Sequence, residues 1–325
     1  MSAPAARARQ QGIAALTAIL VVAIATVLAV NLLWHTSVDI SRTETLLTQD
    51  QARQYDLGAE ELGKVALAQD WRDDGEGGAD FISTSPSDEL WSQPFLRQFE
   101  AGTLVAQITD QQGRFDLNSL LTSNGSRDDE KAKQYARLLA LLKLDQPLDP
   151  EALTDATIDW IDPDTYAGSN GAEDDVYTNR EPPYRPANFW FVSTSELLAI
   201  QGYTPEIYAA LERYVTALPP PANGEAARLL NVNTAEDAVL ESLVDGASGA
   251  AIPKLPRGPY TDVGDFLSDS NLASHTELTG KLGFSSSWFL LTVSTSVGET
   301  RSTMYSLLER NDDVVRVRLR SFDAN

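Results

Sequence analysis

Ile13-Ala-Ala-Leu-Thr-Ala-Ile-Leu-Val-Val-Ala-Ile-Ala-Thr-Val-Leu-Ala-Val-Asn-Leu-Leu-Trp34 decides the architecture. These 22 residues carry no charge, and as a helix they would reach ~33 Å, enough to cross a hydrocarbon core of ~30 Å. Arg7 and Arg9 precede the run and Asp39 follows it, so the positive-inside bias keeps the N-terminus in the cytoplasm and sends the rest across. A cleaved secretory signal would have a shorter core, of about 7–15 residues, and a small-residue cleavage site. Asn31-Leu-Leu-Trp-His-Thr-Ser37 is a poor one. An uncleaved signal anchor is the other plain reading.

The junction Gln10-Gln11-Gly12-Ile13 offers a third. A short charged leader ending in Gly before an apolar run resembles the type IV prepilin site, which is cut after the Gly and methylated on the new N-terminus. No Pro or Gly falls between Ile13 and Leu57. Apolar positions continue through Val38, Leu46, Leu47, Ala52, Tyr55, Leu62, Val65 and Ala66. One long helix, half membrane and half amphipathic, is predicted. Major pilins place Glu five residues after the cut, where it neutralises a neighbour's N-terminal ammonium. Here that residue is Thr17. A buried ammonium without a counterion is costly, so Thr17 points to a position at the filament tip.

The 325 residues are 42% apolar and 22% charged, enough for a substantial core. The net charge of −22 argues against nucleic acid and favours cations. With no cysteine, neither disulfides nor thiolate metal sites are available. Trp71-Arg-Asp-Asp-Gly-Glu-Gly-Gly78 should end the helix. Gly102–Leu117 reads as two strands across a turn at Gln111-Gln112-Gly113. Trp288–Val297, Arg301–Glu309 and Val314–Phe322 read as further strands that complete an antiparallel sheet against the helix. Between them, Glu130–Lys143, Ser193–Gln201, Pro205–Leu218 and Thr234–Leu243 are helix-like, with a linker at Pro219-Pro-Pro-Ala-Asn-Gly224.

Seven acids and one Arg lie between Asp159 and Glu181. Carboxylates this dense repel one another unless a hard divalent cation takes oxygens from several. Asp162, Asp164 and Glu173 echo EF-hand loop positions, but Tyr166 and Ala167 stand where a ligand and the turn Gly belong. A different calcium loop and a solvated acidic loop both remain open. The aromatics Trp160, Tyr166, Tyr177 and Tyr184 favour an ordered one. Leu230-Asn-Val-Asn-Thr-Ala235 resembles the opening of a helix-hairpin-helix or SAM-like unit, with Thr234 as an N-cap. Thr234–Leu243 has no Lys or Arg, which excludes phosphate gripping. His35 and His275 lie in different regions, and no Walker loop, GxGxxG or HExxH occurs, so the reading is non-enzymatic.

Taken in order, Gly12-Ile13 with Thr17, Gly113-Arg-Phe-Asp-Leu-Asn-Ser-Leu120, Asp159–Asp164 with Gly171–Asp174, and Leu230–Ala235 resemble the type II secretion minor pseudopilin K family. The resemblance implies an α+β fold, a pilin-like long N-terminal helix packed on an antiparallel sheet, with a large inserted α-helical (SAM-like) domain. The expected divisions are a leader over 1–12, a membrane-spanning half-helix over 13–36, the pilin-like module over 37–117 and 286–325, and the insert over 118–285. It implies processing and N-methylation at Gly12 and Ile13 by a prepilin peptidase, and calcium on Asp162, Asp164, Glu173, Asp174, Asp175 and Asn179. It also implies a single-pass inner-membrane protein with a periplasmic head. Its partners would be minor pseudopilins I and J, with H, and the inner-membrane assembly platform, in a tip complex that caps and initiates the pseudopilus. The rival is a membrane-anchored extracytoplasmic binding protein with a structural calcium site, unrelated to filaments.

Overall fold

A computed structural model describes residues 5–75, 78–83, 89–142, 144, 147–221, 227–245 and 251–322, with the side chains of 5–14 excepted. Helix α1, Ala5–Asp74, is 70 residues long, and Gly75 ends it in the left-handed region at φ +79°. From Ala15 to Ser37 every residue is exposed. That stretch is long and apolar enough to cross a membrane.

The chain then forms β1 (Phe95–Gln98), β2 (Gly102–Asp110), β3 (Phe115–Asp116), α2 (Asp129–Leu141), α3 (Pro150–Ile161), α4 (Asp174–Thr178) and α5 (Pro205–Leu211). It continues through β4 (Val215–Thr216), β5 (Leu230–Asn231), α6 (Asp237–Ser242), α7 (Val263–Asp269) and β6 (Leu282–Gly283) to β7 (Trp288–Val297), β8 (Thr300–Asn311) and β9 (Val314–Phe322). Five strands make one antiparallel sheet in the order β1-β2-β7-β8-β9. β2 and β7 are direct neighbours, paired from Gly102↔Val297 to Asp110↔Phe289. Everything between them is therefore one hairpin connection grown into a domain.

The second half of α1 lies on this sheet through Ala52, Asp56, Ala59, Glu60, Gly63, Leu67 and Asp70, at the three-to-four-residue spacing of a helix face. A Cβ on Gly63 would stand 3.2 Å from Leu291 Cδ2, so the Gly allows helix and sheet to approach closely. Leu46, Leu47, Leu62 and Val65, taken from the sequence as part of the packed face, are exposed instead. The buried face carries acids in their place, each met by a donor from the sheet. Asp56 accepts from Thr295 and Ser302, both at 2.6 Å. Glu60 accepts from Ser306 and Arg320, both at 2.5 Å. Asp70 accepts from Arg310 at 2.8 Å.

The insert departs from the sequence reading in four places. β3 does not fold back on β2 but pairs in parallel with β4, Phe115 opposite Val215. For the same reason the helix expected over Pro205–Leu218 stops at Leu211. Ser193–Gln201 is a 3-10 turn over Thr194–Ala199, held by a capping box between Ser193 and Glu196. The helix expected from Thr234 starts at Asp237, because the Thr234 hydroxyl is drawn away to donate to Asp110. The linker expected at 219–224 lies outside the described residues beyond Pro221.

That last bond belongs to a buried polar joint. Asp110 Oδ2 also accepts from Ser286 at 2.7 Å and from Asn231 Nδ2 at 3.2 Å. Asn231 donates as well to Asp80 O at 3.0 Å, and Asp80 accepts from both Arg310 and the Ser286 N–H. Gly113 lets the chains close here, since a Cβ on it would stand 2.5 Å from Thr234 Oγ1. The Asn-Val-Asn-Thr stretch thus joins sheet to insert just before the chain enters α6.

Burial pushes the Glu60 carboxyl up, but hydrogen bonds from Arg320 and Ser306 outweigh it and hold the group below its ordinary 4.5. Its stabilisation is therefore present above that value and is lost as pH falls through the lower folded value. Arg320→Ala, which leaves a buried carboxylate without its cation, is expected to lower stability at neutral pH by about 2–3 kcal/mol. In Glu60→Gln the acid-side decline should be shallower. Urea unfolding of the detergent-solubilised chain across the acid range checks both.

Candidate metal-binding site

The acidic segment begins on α3, a helix that the sequence reading does not include. Asp149 accepts from Ala152 N at 3.1 Å and Pro150 follows it, so α3 starts there. Asp159, Trp160 and Ile161 form its last turn, and Pro163 prevents continuation. Trp160 is buried against Tyr177 of α4, with ring centroids 5.3 Å apart. Tyr184 closes the third side, 6.3 Å from Trp160 and 5.4 Å from Tyr177. This aromatic trio anchors both ends of the loop, in accord with the ordered reading of those residues.

Asp159 organises the loop rather than facing it. Its carboxylate accepts from Gly168 N at 3.1 Å. A Cβ on Gly171 would lie 1.7 Å from Asp159 Oδ2, so only Gly fits there. The chain is thereby brought back to place Glu173 beside Asp162 and Asp164. One oxygen from each of these three carboxylates lies within 4.8 Å of the others, a spread that one Ca²⁺ with bonds of about 2.3–2.6 Å can bridge. Glu173 occupies the N-cap position of α4 without capping it. Both of its oxygens, and Asp162 Oδ1, are buried with no hydrogen-bond partner.

Loss of water raises the Asp162 carboxyl to about 6, with Asp164 and Asp159 adding repulsion. For the same reasons, burial first and then Asp162, Asp159 and Asp164, Glu173 is pushed up to about 7. Burying carboxylates unpaired and side by side is unfavourable, and a hard cation satisfies them together. The donor set therefore fits calcium.

For the other three residues implied as ligands the structure gives different surroundings. Asp174 faces Arg185 Nη1 at 3.5 Å. Asp175 is exposed, and the Asn179 amide is engaged with the Asp175 carbonyl at 2.5 Å. Of the processing residues, Gly12 and Ile13 fall on the helical backbone of α1, but their side chains lie outside the described residues. Thr17 is exposed on the apolar half of α1.

Sequence reasoning missed the polar residues that build the surroundings. Asn118 donates to Phe191 O at 3.0 Å and Leu218 O at 2.8 Å, and accepts from Phe191 N at 2.7 Å. It ties the strand-to-helix corner of the insert to two distant loops. Its only signal was its place in Asp116-Leu-Asn-Ser, which the sequence showed without a role.

The family model for type II secretion system protein K matches residues 113–220. A type II secretion system protein K from Pectobacterium carotovorum is 31% identical, the alignment covering 97% of each chain. The Pseudomonas aeruginosa protein of that name is 32% identical over 94% of this chain and 91% of its own. The Aeromonas hydrophila one is 32% identical over 96% of each. Among solved structures, the GspK-GspI-GspJ complex from enterotoxigenic Escherichia coli matches with a TM-score of 0.72 at 24% identity, covering 87% of this chain and all of that chain. With relatives 31–32% identical over nearly its whole length, this chain belongs to the type II secretion system protein K family.

Proposed function

We propose that the chain is the tip-capping minor pseudopilin of a type II secretion pseudopilus, non-enzymatic, and anchored in the inner membrane with its head in the periplasm. The observation that carries this reading is where the insert leaves the sheet. The membrane-proximal end of the packed helix meets the sheet at Thr48, 2.8 Å from Thr300, and its distal end at Asp70 and Arg310. The insert departs at Asp110 and returns at Trp288, at the distal end. It stands above α1, where the next subunit of a helical filament would have to stack. Thr17 agrees: a subunit without an acid there has nothing to neutralise the ammonium of a subunit above it, and at the tip it needs nothing.

In this reading a prepilin peptidase cuts after Gly12 and Ile13 becomes the methylated N-terminus. The helix then enters a tip complex with minor pseudopilins I and J, and with H, assembled on the inner-membrane platform. The exposed residues Leu47, Leu62 and Val65, within about 60° of one another around α1, give it an apolar face for those helices. Calcium on Asp162, Asp164 and Glu173 would hold the loop between α3 and α4 closed. The rival, a tethered binding protein unrelated to filaments, predicts no dependence on Gly12.

Gly12→Val is expected to retain the leader and abolish secretion, with mass spectrometry of the N-terminus as the readout. Normal processing and secretion in that variant would sink the prepilin reading. Removing calcium with EDTA is expected to lower Tm, and added Ca²⁺ to restore it, by about 2.7 kcal/mol at a hundredfold excess over Kd. In Glu173→Gln the calcium response of the loop should vanish. Equal melting curves for the wild type with and without EDTA would leave a solvated acidic loop.

A further inference from the structure

A second group of carboxylates lies far from the loop, where α1 ends. Asp70 and Asp74 are one turn apart on its last stretch, and Glu89 approaches them from the segment before β1. One oxygen from each lies within 4.8 Å of the others. Glu89 is fully buried, at 0% exposure. Among the described residues, its Oε1 accepts the Phe81 N–H at 3.2 Å and its Oε2 has no hydrogen-bond partner.

The surroundings make three negative groups hard to sustain. The C-terminus of a long helix carries the negative end of the macrodipole, which disfavours acids there. The cation in reach is Arg310, and both of its terminal nitrogens are already committed, one to Asp70 at 2.8 Å and the other to Asp80 at 2.6 Å. The packing nevertheless holds the acids in place. A Cβ on Gly78 would stand 2.3 Å from Asp74 Cβ, so the chain after the helix presses directly on that side chain.

We propose that Asp70, Asp74 and Glu89 form a second divalent-cation site, taking Ca²⁺, that clamps the end of α1 to the segment leading into β1. Oxygens within 4.8 Å of one another suit the bond lengths of Ca²⁺, and Asp74, being exposed, leaves one side open to water ligands and to entry of the ion. Burial, with Asp70 beside it, pushes the Glu89 carboxyl up to about 10 when no cation is present. The competing arrangement is therefore a neutral Glu89 sharing a proton with Asp70. The site is independent of the loop in the insert.

Glu89→Gln separates the two, because an amide keeps the shape of the protonated acid but is a poor Ca²⁺ ligand. Equilibrium dialysis of the full-length, detergent-solubilised chain against radioactive Ca²⁺ at about 1 mM, the range in which extracellular modules bind, counts the ions. Glu89→Gln is expected to bind one fewer than wild type. Asp74→Asn, at an exposed position where folding is not at stake, should lose the same ion. Glu173→Gln removes a different one, so each loss is scored whether or not the loop binds. Wild-type stoichiometry in both Glu89→Gln and Asp74→Asn overturns the proposal and leaves Glu89 a buried, protonated acid.

Discussion

Arg310 sits where four parts of the chain meet. From β8 its guanidinium reaches Asp70 near the end of α1, Asp80 in the segment after it, and the carbonyl of Ser286 just before β7, while it lies 4.9 Å from the centre of the Phe289 ring. Both it and the two acids are buried. Removing one member of such a group strands charges in a medium of low polarity, which costs far more than the pair contributes by existing. The value of the arrangement is thus geometric. It admits one position of helix on sheet, and through Asp80, Ser286, Asp110 and Asn231 it passes that restraint to the insert.

The same logic explains the unusual face of α1. An all-apolar stripe would let a helix slide or rotate on a sheet at little cost. Asp56, Glu60 and Asp70 instead meet specific donors on β7, β8 and β9, so a shift of one turn would leave Asp70 and one of the other two without a partner. Fixing the register of the second half of α1 on the sheet also sets how far the head stands from the apolar first half.

The elements legible in the sequence were those governed by local pattern. The apolar run from Ile13 to Trp34, the β-rich stretches from Trp288 to Phe322 and the acidic clustering of Asp162, Asp164 and Glu173 all announce themselves through composition or period. What could not be read depends on partners remote in the chain. Nothing near Asp56 or Glu60 says that these acids face inward, because their donors lie more than 200 residues away. Nothing near Phe115 says that it pairs with Val215. Thr234 has the residue type and position of an N-cap, yet a buried acceptor on Asp110 competes for its hydroxyl and wins. Asp174, Asp175 and Asn179 follow the same acidic run in sequence, but the carboxylates whose oxygens converge are those of Asp162, Asp164 and Glu173.

The adjacency of β2 and β7 carries a consequence for how the protein is made. Bringing two strands together across a flexible loop of that length costs on the order of 4 kcal/mol more in chain entropy than a tight turn does. The penalty falls away only if the intervening residues have already condensed, and the insert has separate apolar clusters of its own with which to do so. Condensing the insert ahead of the sheet is the order that avoids this cost. Until β7, β8 and β9 emerge, the acids of α1 have no donors from those strands and β2 has an open edge, so the nascent head is incomplete until they do.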